Sequence, residues 1–265
     1  MPENVKTEQL VKTLKKYKRY FRRMYSQTLP KKDKEPYDEW LCDNYYIFER
    51  ECMSCISSFK NSRSSFKKGK TSLPRIFEIC IDEICKDGKV PDETEMTECL
   101  VPFKISGREA EMLPDFIRCA ILFTVRKSFE ADNVEGTTLI GNCVKSLRRM
   151  PDIDFEKIND ELNPVEKILV RDPSGSYPKL DEASKAMYRE LVEIRAVKEK
   201  TTGEEIAREA LKKAQKAETP IDRCIEKYIL PEKRRKLGAF LLILKPILAV
   251  ILSAALATIT KAPRF

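Results

Sequence analysis

The chain has 265 residues, with 50 Lys+Arg against 42 Asp+Glu, nine Cys, eight Gly and no His. Without His there is no Ser-His-Asp or Cys-His nucleophile pair, no His-bearing metal site and no imidazole acid or base. No GxGxxG occurs, and Gly136 to Gly141 is followed by Asn142-Cys143 where a P-loop needs Lys-Ser/Thr, so neither standard phosphate loop is present.

The net charge of +8 sits at the start of the chain. Residues 1–34 hold eleven basic side chains, from Lys6 to Lys34, against Glu3, Glu8 and Asp33, which accounts for all of it. Met1 to Gln9 contains no apolar run, so no secretory leader is expected. Leu10, Leu14, Tyr17, Phe21 and Tyr25 recur at helical spacing, which predicts a basic amphipathic helix over residues 5–27. Three readings of this arm stay open: a helix packed on the body by its apolar stripe, a helix lying on anionic lipid, and a nucleic-acid surface using the interleaved aromatics. The last is the least favoured.

A second helix is expected from about Glu35, with Trp40, Leu41, Ile47, Phe48, Cys52, Cys55, Ile56 and Phe59 on one broad face. Residues 60–71 read as a Ser/Lys-rich loop. Shorter helices follow around 73–86 and 92–103. Ser106 and Glu109 form a capping box that opens an apolar stretch to about Phe129, with a kink expected at Pro114. After Gly136, helices are expected at 137–149, 153–162 and 164–171, a tight turn at Asp172 to Gly175, and a long helix at about 180–199. Thr202 and Glu205 cap residues 203–217, and Pro220 begins a last short helix.

The expected fold is therefore all-α: a multi-helix bundle body, a basic N-terminal amphipathic helix and a C-terminal transmembrane helix. It divides into an arm at 1–34, bundles at 35–132 and 133–232, and a basic flank with an apolar segment at 233–265. Leu237 to Ile259 is 23 residues long with one charge, Lys245. A helix of that length spans about 34 Å, enough for a hydrocarbon core of roughly 30 Å. Lys245 and Pro246 are awkward there. Lys245 can snorkel toward the cluster Lys233 to Lys236; a kinked interfacial helix or a buried core helix is the rival reading. That cluster puts the body on the cytoplasmic side by the positive-inside rule.

Two motifs invite a metal. Cys52/Cys55 with Cys80/Cys85 could supply four thiolates, but buried small hydrophobes explain them as well. Asp152-Ile153-Asp154 resembles a sugar-nucleotide DxD, but it leads straight into a helix, where capping explains it. No metal or cofactor is expected.

Two longer stretches carry a resemblance. Glu39-Trp40-Leu41-Cys42-Asp43-Asn44-Tyr45-Tyr46-Ile47 resembles a segment near the start of cyclic β-1,2-glucan synthases. Asn163-Pro164-Val165-Glu166-Lys167-Ile168-Leu169, with Arg171-Asp172-Pro173-Ser174-Gly175-Ser176-Tyr177-Pro178-Lys179-Leu180-Asp181, resembles a second. Leu73-Pro74-Arg75, Ser146-Leu147-Arg148-Arg149 and Met187-Tyr188-Arg189 add shorter matches in the family's order. The resemblance spans about residues 35 to 215 and implies the helical region that precedes catalysis in a large bacterial inner-membrane glucosyltransferase using UDP-glucose. Arg223 to Leu230 stands where the family carries a His-containing stretch, a departure from its pattern. The only Trp is Trp40, so the family's QxxRW motif is absent, and no catalytic residue carries over.

The residues singled out are Trp40, Asp43, Asn44, Arg171, Asp172, Gly175, Tyr177 and Asp181. Trp40 reads as a core anchor and Asp181 as a helix cap, and Gly175 is able to take positive φ. Arg171 and Tyr177 would offer a dock for a glucosyltransferase module if they face outward. The chain alone is expected to be a non-catalytic part of such an enzyme; the alternative is an independent tail-anchored adaptor with a lipid-binding arm.

Overall fold

The computed structural model describes residues 7–61, 73–131 and 134–230, and its elements there are all helices and turns. They are α1 (Thr7–Thr28), α2 (Pro36–Asn61), α3 (Leu73–Ile79, continued by a π turn at Cys80–Ile84), α4 (Glu93–Leu100) and α5 (Gly107–Glu111). Then come α6 (Leu113–Ala131), α7 (Val134–Arg149), α8 (Phe155–Leu162), α9 (Glu166–Leu169), α10 (Glu182–Glu199), α11 (Gly203–Gln215) and α12 (Glu226–Ile229).

Helix starts follow the side-chain oxygens that satisfy free backbone N–H groups. Both expected capping boxes form: Ser106 N donates to Glu109 at 2.7 Å and Glu109 N to Ser106 at 3.3 Å, and Thr202 and Glu205 exchange bonds of 3.3 and 3.2 Å. Asp92 and Glu95 form a third box at the start of α4. Asp154 caps α8 by accepting from Lys157 N at 3.0 Å, which gives the second carboxylate of the DxD a structural role. At Pro114 the expected kink becomes a break. Met112 leaves helical geometry (φ −97°, ψ 3°), and α6 restarts with Pro114 in its first turn, where a missing N–H costs no bond.

The centre of the body is α6. Phe116, Ile117, Cys119, Ala120, Ile121, Leu122 and Val125 are all fully buried, which happens when a helix is enclosed on most sides. The helices α1, α2, α3 and α7 pack around it. The basic arm is part of this body. Its stripe of Leu10, Val11, Leu14 and Phe21 is buried, Tyr17 meets Phe123 edge-on at 4.8 Å, and Phe21 lies 5.3 Å from Phe48. Tyr25 stacks on Tyr45 at 4.5 Å, and the Arg126 guanidinium lies 3.7 Å above the Tyr20 ring. Of the three readings open for the arm, packing by its apolar stripe is the one its contacts display.

Buried apolar residues form two clusters, one from Leu10 to Leu162 and a smaller one from Val165 to Ile229, built by α9 to α12. The sequence division at 132/133 falls inside the larger cluster, because α6 and α7 pack on each other across it. The apolar run 237–259, with Lys245 and Pro246, lies outside the described residues. Among the described residues no helix is long and apolar enough to cross a membrane.

Because Phe21 is fully enclosed by rings of α1, α2 and α6, Phe21→Ala should destabilise the whole body by about 3–5 kcal/mol. Urea unfolding followed by circular dichroism checks this; an unchanged midpoint would mean that α1 is dispensable.

Candidate functional site

The stretch Glu39 to Ile47 forms a clasp between α2 and α7. Trp40 is half-buried, and Gly141 gives its indole room: a Cβ there would lie 3.3 Å from Cζ2. Asn44 is buried, donates to the Trp40 carbonyl at 2.8 Å and accepts from Arg148 Nη2 at 2.9 Å. Asp43, one position earlier on the helix, is exposed. Two neighbours of Arg148 hold the turn before α4: Ser146 Oγ donates to the Gly88 carbonyl at 2.8 Å and accepts from Val90 N at 3.1 Å, while Arg149 donates to the Val90 carbonyl at 3.3 Å.

The second stretch winds around Asp172. Its carboxylate accepts from Ser176 N at 2.9 Å, Tyr177 N at 3.2 Å, Ser174 N at 3.3 Å and both serine hydroxyls. It also accepts from Ile225 N at 2.9 Å, which fastens the loop to the start of α12. Burial opposes this charge, but the donors from Ser174, Ile225, Tyr177 and Ser176 together hold the carboxyl below the usual aspartate range. Gly175 turns the loop with φ +67°, a conformation that suits glycine. Asp181 is exposed and caps α10 through Ser184 N at 2.9 Å. Arg171 faces outward, but Tyr177 does not. The tyrosine is completely buried and donates to Glu166 Oε2 at 2.7 Å, because its hydroxyl finds a carboxylate in the interior. Tyr177 is therefore no part of an outer docking surface.

Glu166 Oε2 also accepts from Arg189 Nη1 at 2.9 Å, and both side chains are buried. Arg189 reaches Glu111 with its Nε and lies 3.9 Å from Glu182. Burial works against the arginine's charge, but the carboxylates of Glu111 and Glu166 outweigh it and raise its pKa. Beside them Asn163, fully buried, donates to Asn159 Oδ1 at 3.1 Å and to the Gly107 carbonyl and Glu111 at 3.4 Å. Its own Oδ1 accepts from Val165 N at 2.9 Å and Glu166 N at 3.3 Å, opening α9. The junction of the two apolar clusters is thus a polar seam.

A cleft of about 490 Å³ opens along that seam, lined among others by Arg108, Glu111, Asp115, Met187, Glu190 and Glu193. A second cleft of about 330 Å³ shares Glu111, Ala183, Ala186 and Arg189 with it. Burial raises the carboxyls of Glu111, Asp115 and Glu193, while Arg189, Ser58 and Arg108 respectively pull them back. Burial also lowers Arg108 to about 10, with Glu193 opposing. The Glu193 carboxylate lies over two helix starts: a Cβ on Gly203 would fall 2.2 Å from its Oε1, and one on Gly107 3.2 Å. Chemically the cleft offers carboxyl and guanidinium hydrogen bonds flanked by methionine, a surface for a polar or cationic group.

Neither cysteine pair gathers at this cleft. Cys52, Cys55, Cys80 and Cys85 are buried, and burial pushes the thiols of Cys52, Cys80 and Cys85 far up, which leaves them as inert apolar groups. Among the described residues no group of three or more His, Cys, Asp or Glu is arranged to hold a metal ion. Glu166 and Arg189 lie in the quoted stretches but carry no role from sequence, and Glu111 is not named there, though one signal exists. Arg189 falls on the buried stripe of α10 with Val192 and Ala196, where a charge needs a partner.

Arg189→Met strands the Glu166 charge in the interior and should cost about 3–5 kcal/mol. Adding Glu166→Gln should recover part of that loss, read from urea unfolding; a double variant as unstable as the single one would break this account of the seam. Thiol titration gives an independent check of the cysteine environments. Six of the nine cysteines (Cys52, Cys55, Cys80, Cys85, Cys119 and Cys143) should react only after unfolding, with exposed Cys99 fastest in the folded protein.

Comparison with protein-family models, with curated proteins and with solved structures finds no match to this chain.

Proposed function

We propose that the chain is a non-catalytic, membrane-attached N-terminal part of an enzyme of the cyclic β-1,2-glucan synthase kind. In this reading it positions or regulates a glucosyltransferase module that draws on UDP-glucose. One observation carries the proposal: family-like stretches far apart in sequence meet one another in space. Asn44 of the first stretch accepts from Arg148 of the Ser146–Arg149 match, and Glu166 of the second accepts from Arg189 of the Met187–Arg189 match. Residues whose work is to join helices have reason to recur together in a supporting region, while the chemistry is left to the module.

Membrane attachment is supported by the run from Leu237 to Ile259 and by the basic cluster at 233–236, which favours a body on the cytoplasmic side of the inner membrane. Arg171 and Asp43 are exposed members of the two stretches and the first candidates to touch the module. The alternative, an independent tail-anchored adaptor, draws support from the exposed cations of α1.

The test is co-expression. A glucosyltransferase module deprived of its own N-terminal region should regain glucan synthesis in membranes when this chain is supplied, and the chain alone should leave UDP-glucose unconsumed. Turnover by the chain alone would refute the proposal. So would a module that neither regains activity nor co-purifies with the chain, and in that case the adaptor reading stands.

A further inference from the structure

The outward side of α1 is a continuous cationic ridge. Lys12, Lys15, Lys16, Arg19, Arg22 and Arg23 are all exposed, and at 100° per residue they fall within one third of the helix circumference. They span about 16 Å of helix axis. From Gln9 to Thr28 the helix holds no acidic residue. Among the described residues, the carboxylate paired with a cation of α1 is that of Glu49 of α2, 3.5 Å from Lys18 at the edge of the ridge, while Glu130 of α6 acts on Tyr17 and Tyr20 on the packed side. No ion pair among the described residues engages the six ridge cations.

The opposite side of α1 is closed. Leu10, Val11, Leu14 and Phe21 are buried, and Tyr17, Tyr20 and Tyr25 are held by Phe123, Arg126 and Tyr45. The helix therefore has no apolar face to push into a bilayer and no spare ring to stack on a base. What remains is a row of positive charge along one side of the helix, which fits a flat anionic surface.

We infer that this ridge docks the body onto anionic lipid head groups, by charge alone and without insertion. The choice of lipid rests on the membrane attachment proposed above. The same chain carries the apolar run at 237–259 preceded by Lys233, Arg234, Arg235 and Lys236, so a chain attached through that run has anionic head groups as its nearest extended anionic partner. Docking by charge is weakened by salt, and each cation near such a surface contributes about fivefold in partition.

The experiment uses the full chain with vesicles of phosphatidylcholine alone or mixed with phosphatidylglycerol. Carbonate-resistant association reads the tail; acetylation of Lys12, Lys15 and Lys16, measured by mass spectrometry against Lys198 and Lys212, reads the ridge. Protection of the ridge lysines only on phosphatidylglycerol, lost in high salt, is the expected result. The variant K12Q/K16Q/R19Q should weaken binding to phosphatidylglycerol by about a hundredfold, with an unchanged circular dichroism spectrum. Equal acetylation on both vesicles, with carbonate-resistant association intact, overturns the ridge and leaves membrane attachment standing. Salt-sensitive binding to phosphatidylglycerol without carbonate resistance removes the tail and keeps the ridge. Equal protection by a short DNA or RNA duplex at the same phosphate concentration overturns the lipid assignment in favour of nucleic acid.

Discussion

A guanidinium taken out of water must be surrounded by acceptors, and at Arg189 that requirement ties three helices and a turn together. Its partners come from α5 (Glu111) and α9 (Glu166), and Tyr177 from the following turn shares the Glu166 oxygen. The two apolar clusters of the body end on either side of this group. A hydrophobic joint would allow the clusters to slide. Carboxylates and amides have directed hydrogen bonds, and a shift that broke them would leave a buried charge without partners.

Asp172 applies the same logic to a loop. One carboxylate gathers backbone donors from Ser174, Ser176 and Tyr177 and reaches across to Ile225. The loop is therefore shaped by a charge in its own middle, and that shape turns Tyr177 inward toward Glu166 and Arg189. Asn163 does the equivalent at the start of α9. These polar residues look like surface positions in composition, yet they hold the least exposed part of the second cluster.

The α1 helix shows how one element separates two kinds of work. Its apolar and aromatic residues are spent on the body, against Phe48, Phe123 and Phe129, while Lys12, Lys15, Lys16, Arg19, Arg22 and Arg23 remain in water. That division gives the first helix a fixed orientation on the body and therefore gives the whole body a positively charged side. The cleft along the seam is acidic instead. The molecule so presents opposite charge character at two places, each set by a different group of helices.

Helical periodicity, capping boxes and turn residues are local properties, and residue order suffices to read them. The order of helices, the boxes at Ser106/Glu109 and Thr202/Glu205, the cap at Asp181 and the turn at Gly175 are legible, because the interacting groups lie within a few residues of one another. The last helix is an exception: it starts at Glu226 and not at Pro220, because Thr219 closes a turn there by accepting from Asp222 N and Ile225 is fastened to Asp172. The division at 132/133 falls between two helices that pack on each other, whereas the two apolar clusters separate after Leu162, which only packing decides. Arg189 with Glu111, and Asn44 with Arg148, join residues 78 and 104 positions apart. No local pattern distinguishes such a charge or amide from one that faces water. The inward turn of Tyr177 and the burial of α1 belong to the same class: both follow from which surfaces meet, and the tertiary structure alone fixes that.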